Sequence, residues 1–257
     1  MFGRPSTARF TASPQLLAMR KFPAKISWAF SASLPCGSRE GHARASAGHK
    51  KGWMVIIFYR IQSDSPNVRK VAIMLAETGL PCTVHTVPKR DGERAAEELL
   101  GVSPNGTVPA IVDQETGAAL FESGAILYYL ATKSGKLLPA DLAARGEVMK
   151  WLMFEVANMG PAMSELYHYL LADTADEAVM GRYRRKLAQF CAILDRQLAG
   201  REYLCGECSI ADIAIFPWSA IIEFMAEISL DDYPNLKVWV DVMNRRRAIC
   251  GEARQGV

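Results

Sequence analysis

Val108-Pro109-Ala110-Ile111, with Glu122-Ser123-Gly124-Ala125-Ile126-Leu127 beginning eleven residues after Ile111, is the stretch on which the fold turns. A proline entering a strand has no N–H for the ladder, so the backbone of Val108 before it can pair with an extended ligand. Glu122 and Ser123 stand at the head of the apolar run 125–130, where a serine hydroxyl and the first free N–H groups of a helix can meet a carboxylate. A carboxylate beside an ammonium is the end of an amino acid, and Glu122 can hold the ammonium. Taken singly, each element also reads as an ordinary turn or helix cap.

A third element stands upstream. Ser65-Pro66-Asn67-Val68-Arg69-Lys70-Val71 follows the apolar strand candidate at 54–59. On its own, Ser-Pro-Asn is a turn and an N-cap. In this order, the three motifs resemble the glutathione transferase superfamily, from about residue 54 to near the C-terminus. The nearest resemblance is to the Nu-type branch, with its glutathione-dependent disulfide reductases and the yeast nitrogen-regulating prion protein. It is carried by Ser65-Pro66-Asn67 and by Phe121-Glu122-Ser123-Gly124-Ala125-Ile126-Leu127.

The resemblance implies a thioredoxin-like first domain in which Val108 and a cis Pro109 bind the cysteinyl unit of glutathione. Glu122 and Ser123 would hold its γ-glutamyl end, and Ser65 and Asn67 would face its sulfur as the catalytic pair. Arg182, in Gly181-Arg182-Tyr183, would reach the glutathione of a neighbouring subunit in a homodimer. An exposed charge is the commoner fate of such an arginine. The chemistry asks little of the protein: a free thiol titrates near pH 8.5, and only its thiolate attacks electrophiles or disulfides. Donors aimed at the sulfur and the positive end of a helix dipole suffice to stabilise it. One departure is Thr107, where many relatives carry a lysine for the glycyl carboxylate; Arg94 or Lys89 could compensate.

Charge divides the chain. Residues 1–53 hold nine Lys or Arg and one acid, a net of +8, so the formal +3 of the whole leaves 3 − 8 = −5 for residues 54–257. The body therefore has no nucleic-acid footprint, and no apolar run approaches the ~18–20 residues of a membrane span. The leader is rich in Arg, Ser and Ala and lacks an apolar h-region. It resembles a transit peptide more than a secretory signal, with a disordered extension as a second reading. The reading preferred is a mis-placed start, with Met54 as the first residue, because Met54 opens the first strand.

Periodicity predicts strands at 54–60, 83–87, 108–112 and 119–121 and helices at 67–77 and 93–100, the last two strands flanking a turn at 113–117. This is a mixed four-stranded sheet of α/β type over residues 54–134. After a linker at 135–141, helices at 142–169, 176–198, 210–224 and 236–245 predict an all-α second domain at 142–257. Ser209-Ile210-Ala211-Asp212 reads as a capping-box start with a folding role only.

Cys205-Gly206-Glu207-Cys208 has redox or metal spacing but lies in the wrong domain for a thioredoxin-type pair, whose place holds Ser65-Pro66-Asn67-Val68. The body has only His85 and His168 and no second CxxC, which argues against zinc. Local packing beside Ser209 is the expectation for this pair. Cys82, Cys191 and Cys250 stand apart, as small buried hydrophobes of a reducing compartment do, with Cys191 in the core and Cys250 open to modification.

These readings converge on a cytoplasmic, glutathione-dependent enzyme without a metal that conjugates an electrophile or reduces a disulfide; the resemblance alone implies a homodimer, under this and the competing reading. The resemblance implies a second-substrate pocket between the domains, for which Met153, Phe154, Met159, Tyr167 and Trp218 are candidates, although such residues at helical spacing are more often core. The competing reading is a non-enzymatic interaction protein that keeps the fold, and Thr107 is the feature that most invites it.

Overall fold

The computed structural model describes residues 55–61, 65–87, 99–172, 176–246 and 249. The leader, Met54, Lys89, Arg94, Cys250 and residues 93–98 of the expected short helix lie outside them. Four strands, β1 (Ile56–Ile61), β2 (Cys82–Val87), β3 (Ala110–Asp113) and β4 (Ala119–Phe121), form one mixed sheet in the order β2-β1-β3-β4. β1 runs parallel to β2, and β3 is antiparallel to both β1 and β4. Burial alternates along β1, with Ile56, Phe58 and Arg60 on the covered face, the period of two that a pleated strand imposes.

Between β1 and β2 runs α1 (Pro66–Thr78), started by a proline at the first helical position, where its missing N–H costs nothing. Val68, Val71, Ala72 and Leu75 are buried at helical spacing. Gly79 ends the helix at φ 70°, its N–H bonded to the Leu75 carbonyl at 3.0 Å; a side chain there would strain this left-handed turn. After β4 comes α2 (Ser123–Ser134), which packs on α1.

The second half is helical: α3 (Leu142–Phe154), a π-helical turn at Glu155–Met159, α4 (Gly160–Leu171), α5 (Glu177–Leu198), α6 (Ile210–Ser219), α7 (Ile222–Ala226) and α8 (Pro234–Asn244). Every residue of α6 is buried, and it packs against α1, α2, α3 and α8. A helix apolar all round needs such enclosure. Its N-terminus carries the expected capping box. Asp212, with no exposed surface, accepts from the Ser209 and Leu204 N–H groups and from Trp239 Nε1, each at 3.0 Å.

Three sequence expectations need correction. The strand expected at 108–112 begins only at Ala110, because Pro109 cannot donate to the ladder. The single helix expected at 142–169 is interrupted by the π-helical turn, beside which Pro161 lacks an N–H for regular helix bonding. That at 210–224 stops at Ser219, with Pro217 inside its last turn, and resumes at Ile222.

Candidate functional site at one end of the sheet

Sheet register brings the three motifs to one end. Tyr59 of β1 pairs with Ala110 of β3, and Ala110 pairs with Phe121 of β4. Val108-Pro109 therefore enters, and Glu122-Ser123 leaves, at the same end of the sheet where β1 gives way to Ser65 and α1. The Val108–Pro109 peptide is cis. Neither the N–H nor the C=O of Val108 is engaged by another described backbone group, so both are open to an extended ligand. Thr107 is exposed, its N–H bonded to the buried Ser103 Oγ at 3.3 Å.

Ser65 occupies the N-cap of α1, yet its side chain makes no capping hydrogen bond. Pro66 pushes it to an extended ψ of 125°, and its carbonyl takes the Arg69 N–H at 3.0 Å. Capping would use the hydroxyl oxygen as an acceptor; its proton meets no acceptor among the described residues and stays available to another one. The N–H groups of Asn67 and Val68 lie in the first turn, where no intrahelical carbonyl is available.

Asn67 is held by a residue that sequence reading did not single out. Lys70 Nζ donates to Asn67 Oδ1 at 2.8 Å. An ammonium can only donate, so the amide atom facing it is the oxygen, and Nδ2 is turned away as an unengaged donor. Ser123 Oγ lies 3.4 Å from Lys70 Nζ and 3.5 Å from Asn67 Oδ1, which joins the two motifs directly. Glu122, the N-cap of α2, makes no side-chain cap either.

Lys70 reaches across to the helical half. Its ammonium lies 2.7 Å from Glu155 Oε1, and the two side chains are each 1% exposed. Trp218 Nε1 donates to the same oxygen at 2.9 Å, while Glu155 Oε2 is buried without a partner among the described residues. Burial pushes the Lys70 ammonium below the usual lysine range, opposed by the charges of Glu155 and Glu122. Two signals for this pair stand in the sequence: Lys70 is three residues from Asn67, on the same helix face, and Glu155 is a lone acid in an apolar stretch.

Glu122 is exposed and holds φ 67°, ψ 115°. A non-glycine residue with positive φ stores on the order of 1–3 kcal/mol and collects at functional sites. Glycines admit close approach behind the site: a Cβ on Gly124 would meet Val156 Cγ2 at 2.9 Å, and one on Gly160 would meet Glu155 Oε1 at 2.7 Å.

Other candidates fall elsewhere. Arg182 is exposed on α5. Of the pocket candidates, Met159 and Trp218 are enclosed, Phe154 is half-buried against Trp151 and Phe190, and Met153 and Tyr167 are exposed. Cys205 and Cys208 are unpaired and half-buried, their thiols pushed up by burial to about 11 and about 12. Cys191 is in the core, as expected. Among the described residues no group of His, Cys, Asp and Glu side chains could hold a metal ion, and no helix is long and apolar enough to cross a membrane.

Residues 64–133 match the N-terminal domain model of glutathione S-transferase, and residues 160–247 the C-terminal domain model. The disulfide-bond oxidoreductase YfcG of Escherichia coli is 34% identical over 194 residues, covering 72% of this chain and 89% of that protein. A glutathione transferase from Pseudomonas putida, solved with one glutathione disulfide per subunit, superposes with a TM-score of 0.72 at 33% identity, over 80% of this chain and 93% of the other. Ure2p in complex with S-hexylglutathione gives 0.72 at 26% identity, over 78% and 98%. With both halves matched by family models and relatives of this likeness, the chain belongs to the glutathione S-transferase superfamily and resembles its Nu-type branch.

Proposed function

We propose that this protein is a glutathione-dependent enzyme that activates the glutathione thiol at the sheet end and directs it at a disulfide. The observation that carries the reading is the state of the two donors. The Ser65 hydroxyl proton meets no acceptor among the described residues, and the Asn67 oxygen is committed to Lys70, so a hydroxyl and an amide N–H both remain for a sulfur anion. Val108 would pair with the cysteinyl backbone beside Pro109. The Glu122 carboxylate would hold the γ-glutamyl ammonium, and the Ser123 hydroxyl its carboxylate. The Ser123 contact to Asn67 is long, so its hydroxyl can turn to a ligand while Lys70 still satisfies the Asn67 oxygen.

The thiol of bound glutathione loses its proton to solvent, and the thiolate, stabilised by Ser65 and Asn67, attacks one sulfur of the substrate disulfide. A mixed disulfide forms, the substrate S–S bond breaks, and the departing thiolate takes up a proton. A second glutathione thiolate then attacks the glutathione sulfur of the mixed disulfide. This yields glutathione disulfide and the second substrate thiol, with two glutathiones oxidised for one disulfide reduced. The resemblance to YfcG and to the structure holding glutathione disulfide supports this choice over conjugation. A homodimer in a reducing, cytoplasmic setting, with Arg182 reaching the neighbouring subunit's glutathione, completes the proposal.

Titration calorimetry of the full chain with reduced glutathione and with its disulfide tests it, followed by reduction of hydroxyethyl disulfide and conjugation of chlorodinitrobenzene. Binding of the disulfide together with reductase activity supports the reading, as does loss of that activity in Ser65→Ala or Asn67→Ala. Conjugation without reduction moves it to a transferase. No heat with either ligand refutes the enzyme and leaves the interaction protein.

A further inference from the structure

Resting on that reading of Asn67, we propose that Lys70 is a positioning residue for the thiolate: Glu155 of the helical half anchors it, and it fixes the Asn67 carboxamide by its oxygen and sets a positive charge behind the donor. The geometry closes around one ammonium. Its three N–H donors meet three acceptors, Glu155 Oε1 at 2.7 Å, Asn67 Oδ1 at 2.8 Å and Ser123 Oγ at 3.4 Å. Two of those residues are the proposed sulfur donor and the proposed carboxylate ligand. The third lies 85 residues away, on the π-helical turn between α3 and α4.

Stability alone does not account for this arrangement. A buried ion pair costs both partners their hydration, and apolar residues of similar volume often serve the fold as well or better. Here the pair is 1% exposed on both sides, and one carboxylate oxygen is left without a partner among the described residues. The surroundings are shaped to it: Gly160 leaves room for the carboxylate, Trp218 donates to it, and the Trp218 ring lies 5.6 Å from the ammonium. What the pair adds at the site is a carboxamide that cannot flip, and a charge that polarises its N–H toward an anion. Because Glu155 belongs to the helical half, the same strut makes the donor's aim depend on how the two halves are seated.

The test compares Lys70→Met/Glu155→Gln, Glu155→Gln and Asn67→Ala in the full chain. Removing both charges together avoids leaving one buried and unpaired. For the double variant we expect KM for glutathione near that of the parent, kcat with hydroxyethyl disulfide down about tenfold, and the thiol pKa of bound glutathione, read from thiolate ultraviolet absorbance, up by about one unit. Adding Asn67→Ala should then cost little more. Glu155→Gln alone removes the anchor and leaves the ammonium buried without its counter-charge, so it should lower kcat and raise the thiol pKa in the same direction as the double variant, and parental values for it overturn the anchoring role. A folded double variant with parental kcat and thiol pKa overturns the proposal. If it does not fold, Lys70→Gln, which can donate to Asn67 without charge, decides on the same readouts: a raised thiol pKa with retained binding supports the proposal, and an unchanged one overturns it. Damage by Asn67→Ala alongside an intact double variant removes this inference only. A harmless Asn67→Ala removes the sulfur-donor reading and this inference with it.

Discussion

Gly160→Ala sets two effects of opposite sign against each other. Gly160 has helical backbone angles, φ −57° and ψ −53°, so by helix propensity alone alanine should stabilise by about 1 kcal/mol. The new methyl, however, would come within 2.7 Å of Glu155 Oε1 and 3.6 Å of Trp218 Nε1. The carboxylate cannot stay there and keep its 2.7 Å bond to Lys70 and 2.9 Å bond from Trp218. Hydrogen bonds to charged groups contribute roughly 1.5–3 kcal/mol each, and any buried group left unpaired adds to the loss. Losing both bonds outweighs the propensity gain by about 2–5 kcal/mol. At about 2–4 °C per kcal/mol for a chain of this size, the melting temperature should fall by roughly 10 °C. Urea unfolding and thermal melts measure this directly, and Gly160→Ala/Glu155→Ala/Lys70→Met should recover part of the loss, because the clash is gone and no buried charge is left unpaired. A single variant as stable as the parent, or more so, would show that the carboxylate has room to move, and the argument for a rigid cradle would fall.

Three further outcomes follow from the geometry. Glu122 pays backbone strain on the order of 1–3 kcal/mol, and glycine relieves it at an unfolded-state cost of about 0.5–1 kcal/mol; Glu122→Gly should therefore melt higher than Glu122→Ala while both bind glutathione weakly, and equal melting temperatures would contradict the strain. Burial acts to raise the pKa of Asp113, but hydrogen bonds from Lys133, Tyr129 and the Glu115 N–H outweigh it and hold the carboxyl below its ordinary 3.8. The folded state then binds fewer protons than the unfolded chain, so this contribution is present above about pH 3.8 and lost as pH falls through the folded value; Asp113→Asn should flatten the acid limb of a stability–pH curve. Cys205 and Cys208, with thiols pushed up to about 11 and about 12, should react with iodoacetamide at neutral pH far more slowly than free cysteine, and fast labelling in the native state would refute their inert packing.

Local chemistry settled much of this molecule from the sequence. A proline at the first turn, four apolar residues at helical spacing and a terminal glycine define α1 without reference to the rest of the chain. The Ser209–Asp212 box does the same for the start of α6. Motif order resembled one superfamily because, under the proposed function, Ser65-Pro66-Asn67, Val108-Pro109 and Glu122-Ser123 would answer to a single ligand. Tertiary structure decided what depends on distant pieces meeting. The π-helical turn that breaks the helix expected at 142–169 lies where Glu155 turns inward to Lys70, a contact across 85 residues that no local periodicity encodes. Whether the Asn67 amide offers its oxygen or its nitrogen to the site was likewise set by an ammonium whose own position Glu155 holds. Helices and caps are chosen by neighbours within a turn or two, which a sequence displays; a buried charge is tolerable only where its partner arrives from another element, and that arrival is a property of the assembled core.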